Sequence, residues 1–299
     1  MIKAAVIPSR PSALARWGRS QLEQVRVSRP FRESQLMLSA VLGVVPWRLF
    51  VSPQSLVEKP QVEKFLRLLE ERSSGRPLAY VLGQVGFFNF ELKTDSRALI
   101  PRPETELLVE ESLRKIDHAG VKEPRVLDLC CGSGNICLAL ARERPAWRLY
   151  ASDISTPALA LARENAQLLE LEGRVDFRHG DLFAPWPEGC SDPFDLIVCN
   201  PPYVAGEDWA GLPDEVRLFE PRPALDGGEG GLKVIAAVLA AAPAYLRFRG
   251  QLILEIGSGQ AQAARHLAET ISGLSGMKLV QDFAGRDRVV EFTRLPVAD

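Results

Sequence analysis

Residues 126–136 read Val-Leu-Asp-Leu-Cys-Cys-Gly-Ser-Gly-Asn-Ile, an apolar run that ends in a glycine turn and then takes helical composition. A strand, a tight turn and a helix in this order let a ligand approach the backbone closely beside a helix N-terminus. The glycines stand only at 132 and 134, so the turn differs from the Gly-x-Gly-x-x-Gly of dinucleotide folds and from a phosphate loop ending in Gly-Lys-Ser/Thr. The stretch therefore favours an α/β fold with a cofactor of another kind.

Outward from this turn, apolar runs alternate with helical stretches to the end of the chain. The predicted strands are residues 125–130, 148–152, 174–178, 194–199, 251–256, 277–282 and 288–293. Helical composition fills most of the gaps, most clearly at residues 136–144 and 156–171. Near-continuous apolar strands that alternate with helices indicate a parallel sheet covered on both faces. We expect the functional site at the carboxyl ends of its strands.

Helical spacing dominates the N-terminal third of the chain. Three helices are predicted there, at residues 13–27, 33–42 and 62–71, with prolines between them. After Gly83 the pattern changes to aromatic and alternating residues, which indicate a short hairpin at residues 87–92. The sequence therefore predicts an N-terminal helical domain, a hairpin connector and an α/β domain, at residues 1–84, 85–100 and 101–299.

Bulk composition narrows the class of protein. The 299 residues are 46% hydrophobic and carry a formal net charge of −2, with a sequence pI near 6.1. No overall positive field draws the chain to nucleic acid, so duplex DNA is not an expected partner. The longest nearly apolar stretch, residues 234–246, is shorter than the ~20 residues of a membrane-spanning helix. We expect a soluble, monomeric protein without a membrane partner.

Cysteine and histidine usage argues against a metal site. The chain has three histidines and five cysteines. The cysteines stand at 130, 131, 137, 190 and 199, so they include no Cys-x-x-Cys pair. We therefore expect no metal and, because the cysteines are free, a reducing, cytoplasmic location. The first 22 residues contain basic but no acidic side chains, as organelle transit peptides do. The favoured alternative is the first helix of the N-terminal domain.

Acidic side chains stand at or just after the ends of three successive strands of the predicted sheet. Asp128, beside the glycine turn, can receive a cationic amino group directly or through water. Asp153, 19 residues after Gly134, can accept both hydroxyls of a ribose, and Asp181, beside Leu182, can meet an adenine amino group. A single Asp after a strand is most often a turn or helix cap, but three in order form one constellation. An amino group, a ribose and an adenine together fit S-adenosylmethionine.

Asn200, Pro201, Pro202 and Tyr203 follow the predicted strand at residues 194–199. Two consecutive prolines carry no N–H and have fixed φ, so the loop is stiff and presents carbonyl acceptors with few donors. Asn200 adds a side-chain carbonyl, and Tyr203 adds a flat aromatic wall. Such a loop can hold a planar NH₂ group by both hydrogens, which suits chemistry on an amide or nucleobase nitrogen. The alternative for Asn200 is a turn residue before proline.

These motifs carry a resemblance to known families. Together with Asp153, the residues at 128–134, 180–183 and 200–203 resemble the class I S-adenosylmethionine-dependent methyltransferases of amino nitrogens. Three further stretches are similar to the HemK/PrmC family, the peptide chain release factor glutamine methyltransferases. They are Arg-Pro-Leu-Ala-Tyr-Val-Leu-Gly at 76–83, Ile-Pro-Arg-Pro-Glu-Thr-Glu at 100–106 and Glu-Pro-Arg-Pro-Ala-Leu-Asp-Gly-Gly at 220–228. The resemblance covers roughly residues 13–293.

The resemblance implies a Rossmann-like class I methyltransferase sheet, mostly parallel, with seven strands of which the last is antiparallel. A smaller N-terminal helical domain would recognise the substrate, a class 1 peptide chain release factor. The catalytic residues would be Asn200, Pro201, Pro202 and Tyr203. S-adenosylmethionine would be held by Asp128, Cys130, Cys131, Gly132, Ser133, Gly134, Asp153, Asp181, Leu182 and Asn200. Glu104 and Glu106 would either organise a lid over the cofactor or cap the helix near Thr105.

Cys130 departs from the family pattern, which commonly has glycine at this position of the turn. If Cys130 still belongs to the strand, the change is tolerable; if it must adopt positive φ, cofactor affinity is affected.

The resemblance implies transfer of a methyl group to the glutamine of the Gly-Gly-Gln motif of the release factor. In the mechanism that we expect, Asn200 Oδ1 and the Pro201 carbonyl each accept one hydrogen of the glutamine NH₂, and Tyr203 packs along the side chain. Two alternatives keep the chemistry and change the substrate: a ribosomal-protein glutamine methyltransferase and a DNA adenine-N6 methyltransferase. A third is a non-catalytic module that binds the release factor.

Overall fold

The computed structural model describes residues 7–51, 56–187 and 192–296. Cys190 and residues 1–6 of the basic N-terminal stretch lie outside the described residues. The chain divides into two compact units. One contains the chain up to Gln84 together with Asp214–Phe219, and the other contains Val85–Pro213 and the chain from Glu220 onward.

The first unit is helical. Its helices, numbered along the whole chain, are α1 (Pro11–Gln24), α2 (Pro30–Leu42), α3 (Arg48–Val51), α4 (Lys59–Ser73), α5 (Leu78–Leu82) and α9 (Asp214–Arg217). The first, second and fourth begin before the predicted starts because each takes a proline into its first turn. Proline suits that position, where its missing N–H would have no partner in the helix. Buried Leu14, Met37 and Phe65 come from these three helices and share one apolar core.

The second unit is built on strands. They are β1 (Gln84–Phe87), β2 (Phe90–Lys93), β3 (Arg125–Leu129), β4 (Arg148–Asp153), β5 (Val175–His179), β6 (Phe194–Cys199), β7 (Leu246–Glu255), β8 (Leu274–Gln281) and β9 (Asp287–Arg294). Strands β1 and β2 pair with each other, and the other seven form one sheet in the order β5-β4-β3-β6-β7-β9-β8. All neighbours pair in parallel except β9, which runs antiparallel to β7 and β8. The predicted sheet, with its antiparallel last strand, is confirmed.

Helices cover both faces of this sheet. They are α6 (Glu106–Ala119), α7 (Asn135–Glu143), α8 (Thr156–Leu168), α10 (Lys233–Tyr245) and α11 (Ala261–Glu269). Consecutive residues of a strand point to opposite faces. In β6, Val198 accordingly packs into the same apolar core as Leu108 of α6, while Ile197 packs with Leu239 of α10. No helix in the described part of the chain is long and apolar enough to span a membrane.

The strand order reverses direction between β3 and β6. The chain passes from β3 outward through β4 and β5, and then returns to the other side of β3 to form β6. Loops that leave the carboxyl ends of the two central strands therefore diverge and open a crevice between them. The glycine turn after β3 and the Asn-Pro-Pro-Tyr loop after β6 both lie at this end of the sheet.

Candidate active site

A cavity of about 680 Å³ lies at this reversal of strand order, within the range of pockets that hold small molecules. Its wall includes nine of the predicted site residues: Cys130, Cys131, Gly132, Ser133, Asp153, Asp181, Leu182, Asn200 and Pro202. Four others do not line it: Asp128, Gly134, Pro201 and Tyr203. The structure thus brings the ends of β3, β4, β5 and β6 to one cavity.

Asp153, at the end of β4, holds the glycine turn in place. Its Oδ2 accepts the N–H of Gly132 at 2.8 Å, and its Oδ1 accepts the N–H of Ser155 at 2.8 Å. Burial raises the pKa of Asp153, although the two backbone donors act in the opposite direction. Each carboxylate oxygen can accept more than one hydrogen bond, so Asp153 can still receive donors from a ligand in the cavity.

Cys130 adopts the left-handed backbone conformation. Strand β3 ends at Leu129, and Cys130 follows it with φ +57°. Of the two alternatives drawn from the sequence, the second is therefore observed. The left-handed region costs a residue with a side chain roughly 1–2 kcal/mol, so the glycine turn is strained at this position.

The strain at Cys130 predicts an order of stability among substitutions there. A glycine has no Cβ to clash, whereas a β-branched residue is disfavoured further at positive φ. We expect Cys130→Val to have a free energy of unfolding about 2 kcal/mol lower than Cys130→Gly. Urea denaturation followed by circular dichroism measures the difference. Equal stability of the two variants would show that the turn relaxes and stores no strain.

Asp128 lies beneath the turn and is fully buried. Its Oδ2 accepts the N–H of Cys137 at 3.1 Å, while its Oδ1 has no hydrogen-bond partner within the described part of the chain. Burial raises the pKa of Asp128 to about 7. A buried carboxylate oxygen without a donor is costly, so this atom is suited to a positively charged partner that the chain itself does not supply.

On the β6 side of the cavity, hydrogen bonds run from Asn200 into the protein. Asn200 Nδ2 donates to Thr105 Oγ1 at 3.1 Å, and Thr105 Oγ1 donates to Glu255 Oε2 at 2.7 Å. Tyr203 donates its hydroxyl to Glu255 Oε1 at 3.1 Å. Glu255 is the last residue of β7, and neither it nor Thr105 was predicted from the sequence as a functional residue. The available signal was a carboxylate in the apolar run at residues 252–256, because buried charges are rarely left unpaired.

Gln260 and the glycine-rich loop at residues 227–231 pack closely against the Asn-Pro-Pro-Tyr loop. Gln260 Nε2 donates to the carbonyls of Tyr203 and Gly230, at 2.9 and 3.0 Å. A Cβ at Gly231 would lie 2.1 Å from the Tyr203 carbonyl oxygen, and one at Gly227 would lie 2.7 Å from that of Pro202. The glycines of this loop are therefore required by close backbone approach, and they hold the turn rigid.

Two of the stretches that carry the family resemblance meet in this unit. Buried Glu220 accepts the N–H of Ile100 at 3.1 Å and forms an ion pair with Arg102. The Ile-Pro-Arg-Pro-Glu-Thr-Glu and Glu-Pro-Arg-Pro stretches are thus joined by one carboxylate. Glu106 lies in the first turn of α6, and its Oε1 accepts the N–H of Phe88 at 2.7 Å, which ties α6 to the hairpin.

Comparison with known proteins places this geometry in a family. Residues 103–212 match the methyltransferase small domain, and residues 13–83 match the PrmC N-terminal domain. A release factor glutamine methyltransferase of Thermodesulfovibrio yellowstonii is 37% identical over 259 residues, which cover 87% of this chain and 91% of the relative. One of Xylella fastidiosa is 45% identical over 228 residues, which cover 76% and 80% of the two chains.

A solved structure agrees at the level of the fold. The 16S rRNA methyltransferase of T. thermophilus, in complex with AdoMet and guanosine, is 20% identical with a TM-score of 0.50. The match covers 71% of this chain and 50% of that one. With the sheet, the cavity and the relatives in agreement, the chain belongs to the release factor glutamine methyltransferase family.

Proposed function

We propose that this chain transfers a methyl group from S-adenosylmethionine to the side-chain amide nitrogen of the glutamine in the Gly-Gly-Gln motif of class 1 release factors. The observation that carries the proposal is that one cavity is lined both by Asp153 and Asp181 and by Asn200 of the Asn-Pro-Pro-Tyr loop. The names of the relatives favour a release factor over a ribosomal protein or DNA as the substrate.

The residues of the cavity fit the proposed cofactor. Asp153 retains acceptor capacity for ribose hydroxyls, and Asp181 with Leu182 provides an acceptor and an apolar surface for an adenine. The unpartnered Oδ1 of Asp128 is suited to the positive charge of an ammonium group, reached through water since Asp128 lies beneath the wall. When bound, S-adenosylmethionine supplies an electrophilic methyl group on a sulfonium.

The protein must overcome the low nucleophilicity of an amide. The nitrogen lone pair is delocalised by the resonance that gives a peptide bond its rotation barrier of ~18–20 kcal/mol. Asn200 Oδ1, which lines the cavity, and the carbonyl of the adjoining Pro201, a residue outside the wall, are proposed to accept the two NH₂ hydrogens, orient the nitrogen and stabilise the positive charge that develops on it. The prolines contribute no N–H that would compete for these acceptors. No base is needed before transfer, because the extra proton leaves afterwards.

The N-terminal helical domain, predicted at residues 1–84, is proposed to recognise the release factor, and residues 101–299 to carry the chemistry. The match of residues 13–83 to the PrmC N-terminal domain supports this division.

Methyl transfer from labelled S-adenosylmethionine tests the choice of substrate. Purified release factor, ribosomes and DNA are incubated separately with the protein, and label is expected only in the release factor. Label in ribosomal protein or DNA would contradict the proposal. Cofactor binding with no label in any of the three would indicate a non-catalytic binding module.

Cofactor affinity is expected to depend on the ionisation of Asp128. Burial raises the pKa of this carboxyl to about 7, so below pH 7 it is mostly protonated and cannot attract a cation. The dissociation constant of S-adenosylmethionine should therefore rise as pH falls below 7, approaching about tenfold per pH unit. Titration calorimetry between pH 5.5 and 7.5 measures the slope. The slope should flatten in Asp128→Asn. An unchanged slope in that variant would show that the pH dependence comes from another group.

A further inference from the structure

The Asn-Pro-Pro-Tyr loop is attached to the buried carboxylate of Glu255 directly through Tyr203 and, by way of Thr105, through Asn200. Its Oε2 accepts the hydroxyl of Thr105 at 2.7 Å, and its Oε1 accepts the hydroxyl of Tyr203 at 3.1 Å. Thr105 in turn accepts the Nδ2 of Asn200 at 3.1 Å. Thr105 and Glu255 are each 1% exposed, so the hydrogen bond between them is shielded from solvent.

The ionised carboxylate of Glu255 sets the donor and the acceptor of each hydrogen bond that connects it to Tyr203, Thr105 and Asn200. An ionised carboxylate only accepts, so Thr105 and Tyr203 must donate their single hydroxyl protons to it. The Thr105 oxygen then has only lone pairs left for Asn200. The Asn200 atom that faces Thr105 must therefore be the NH₂ group, and its Oδ1 is the end left for other partners.

We infer that Glu255, acting through Thr105, is the positioning residue that fixes the amide of Asn200 with Oδ1 presented to the substrate. The inference rests on the proposed function, in which Oδ1 accepts a hydrogen from the glutamine NH₂. With the amide reversed, the Asn200 NH₂ would face the glutamine NH₂, two donors would meet, and the nitrogen would not be held for transfer.

Protonation of Glu255 removes this constraint. A neutral carboxyl group has a proton to donate, so Thr105 can accept it and turn its own hydroxyl toward Asn200, which permits the reversed amide. The groups that act on Glu255 are Tyr203, Arg288 at the start of β9 and Glu104 before α6. Burial raises the pKa of Glu255 to about 7, although the bonds from Thr105 and Tyr203 and the charge of Arg288 oppose the rise.

The ionised form of Glu255 is the active one, and this sets the direction in which kcat changes with pH. At saturating cofactor and release factor, kcat should rise with pH through about 7 and reach a plateau above it. Saturating cofactor separates this effect from that of Asp128, which acts on cofactor binding. Glu255→Gln carries an amide that can accept from Thr105 or donate to it, so this variant should lose the pH dependence near 7 and have a kcat about tenfold lower on the plateau.

Thr105 offers a matched pair of variants. Thr105→Val keeps the shape but has no hydroxyl, and should lower kcat by about 10²-fold through misplacement of the Asn200 acceptor. Thr105→Ser keeps the hydroxyl and should restore most of the turnover. Because Thr105 also lines the cavity, the expected signature is a loss in Thr105→Val that falls on kcat more than on the KM for S-adenosylmethionine. Glu123→Gln, the same chemical change at an exposed carboxylate paired with Arg148, should leave kcat and its pH profile as in the wild type.

The outcomes separate this inference from the proposed function. A Glu255→Gln variant with wild-type kcat and pH profile overturns the inference alone, as do Thr105→Val and Thr105→Ser variants that are equally impaired. Absence of methyl transfer to the release factor by the wild-type protein overturns the proposed function, and the inference with it. Loss of the pH dependence in Glu255→Gln, with rescue by Thr105→Ser, supports both.

Discussion

Asn200→Ala should retain binding of S-adenosylmethionine and lose turnover by about 10²- to 10³-fold. Asn200 is the only side chain assigned to accept a hydrogen of the glutamine NH₂, and alanine offers neither the acceptor nor the attachment to Thr105. The loss should fall on kcat, because the contact strengthens as positive charge develops on the nitrogen. Single-turnover kinetics with preloaded cofactor measures the chemical step directly.

Asn89→Ala is the matched control for this experiment. Asn89 is an exposed asparagine that donates to Glu143 at 2.8 Å and lies outside the cavity wall. Its truncation should leave kcat unchanged. Wild-type turnover in Asn200→Ala would remove Asn200 from the catalytic role and leave it as a turn residue before Pro201.

Asp153→Ala should instead weaken cofactor binding by about 10²-fold, since hydrogen bonds to a charged group contribute roughly 1.5–3 kcal/mol each. The substitution also leaves the N–H groups of Gly132 and Ser155 without their acceptor, which loosens the turn beside the cavity. Turnover at saturating cofactor should be affected less than affinity. Titration calorimetry with S-adenosylmethionine measures the dissociation constant.

Asp176→Ala serves as its control, because Asp176 is an exposed carboxylate on β5 that pairs with Arg178 and does not line the cavity. Cofactor affinity should be unchanged in this variant. If Asp153→Ala binds S-adenosylmethionine as tightly as Asp176→Ala does, Asp153 does not belong to the cofactor site.

Periodicity was sufficient to predict the order of the elements. The seven apolar runs from Arg125 onward are the seven strands of the sheet, because a strand covered on both faces must be apolar along its length. The prediction was wrong for the start of β7, which begins at Leu246 and not at residue 251. Arg247 and Arg249 interrupt the apolar pattern there, and Phe248 and Arg249 are two consecutive exposed residues of the strand.

The part of the cavity wall that is formed by strand ends was predictable because parallel strands bring their ends to one edge. That geometry placed Asp153, Asp181 and Asn200 together without any knowledge of contacts. The same geometry did not predict where the Asp128 side chain lies. Asp128 belongs to the end of β3, and its carboxylate is buried beneath the glycine turn, away from the cavity wall. Nor could this geometry give the backbone conformation of Cys130, which depends on how sharply the chain leaves the strand.

The bonds behind Asn200 lay beyond prediction for a different reason. Thr105 is 95 residues from Asn200 in sequence and 150 residues from Glu255, and a single sequence contains no signal for pairs at such distances. Glu255 itself was visible as a carboxylate in the apolar run at residues 251–256. A buried charge in a strand requires partners, but only the folded chain shows that those partners are Tyr203 of the Asn-Pro-Pro-Tyr loop and Thr105, which contacts Asn200.

Mass spectrometry of the release factor peptide that contains Gly-Gly-Gln shows directly whether this protein methylates the glutamine. The factor is incubated with this protein and S-adenosylmethionine, digested, and fragmented so that the modified residue is identified. We expect a gain of one CH₂ in mass on the side chain of that glutamine, dependent on the protein and absent with Asn200→Ala. An unmodified glutamine, with cofactor bound and the release factor folded, would contradict it.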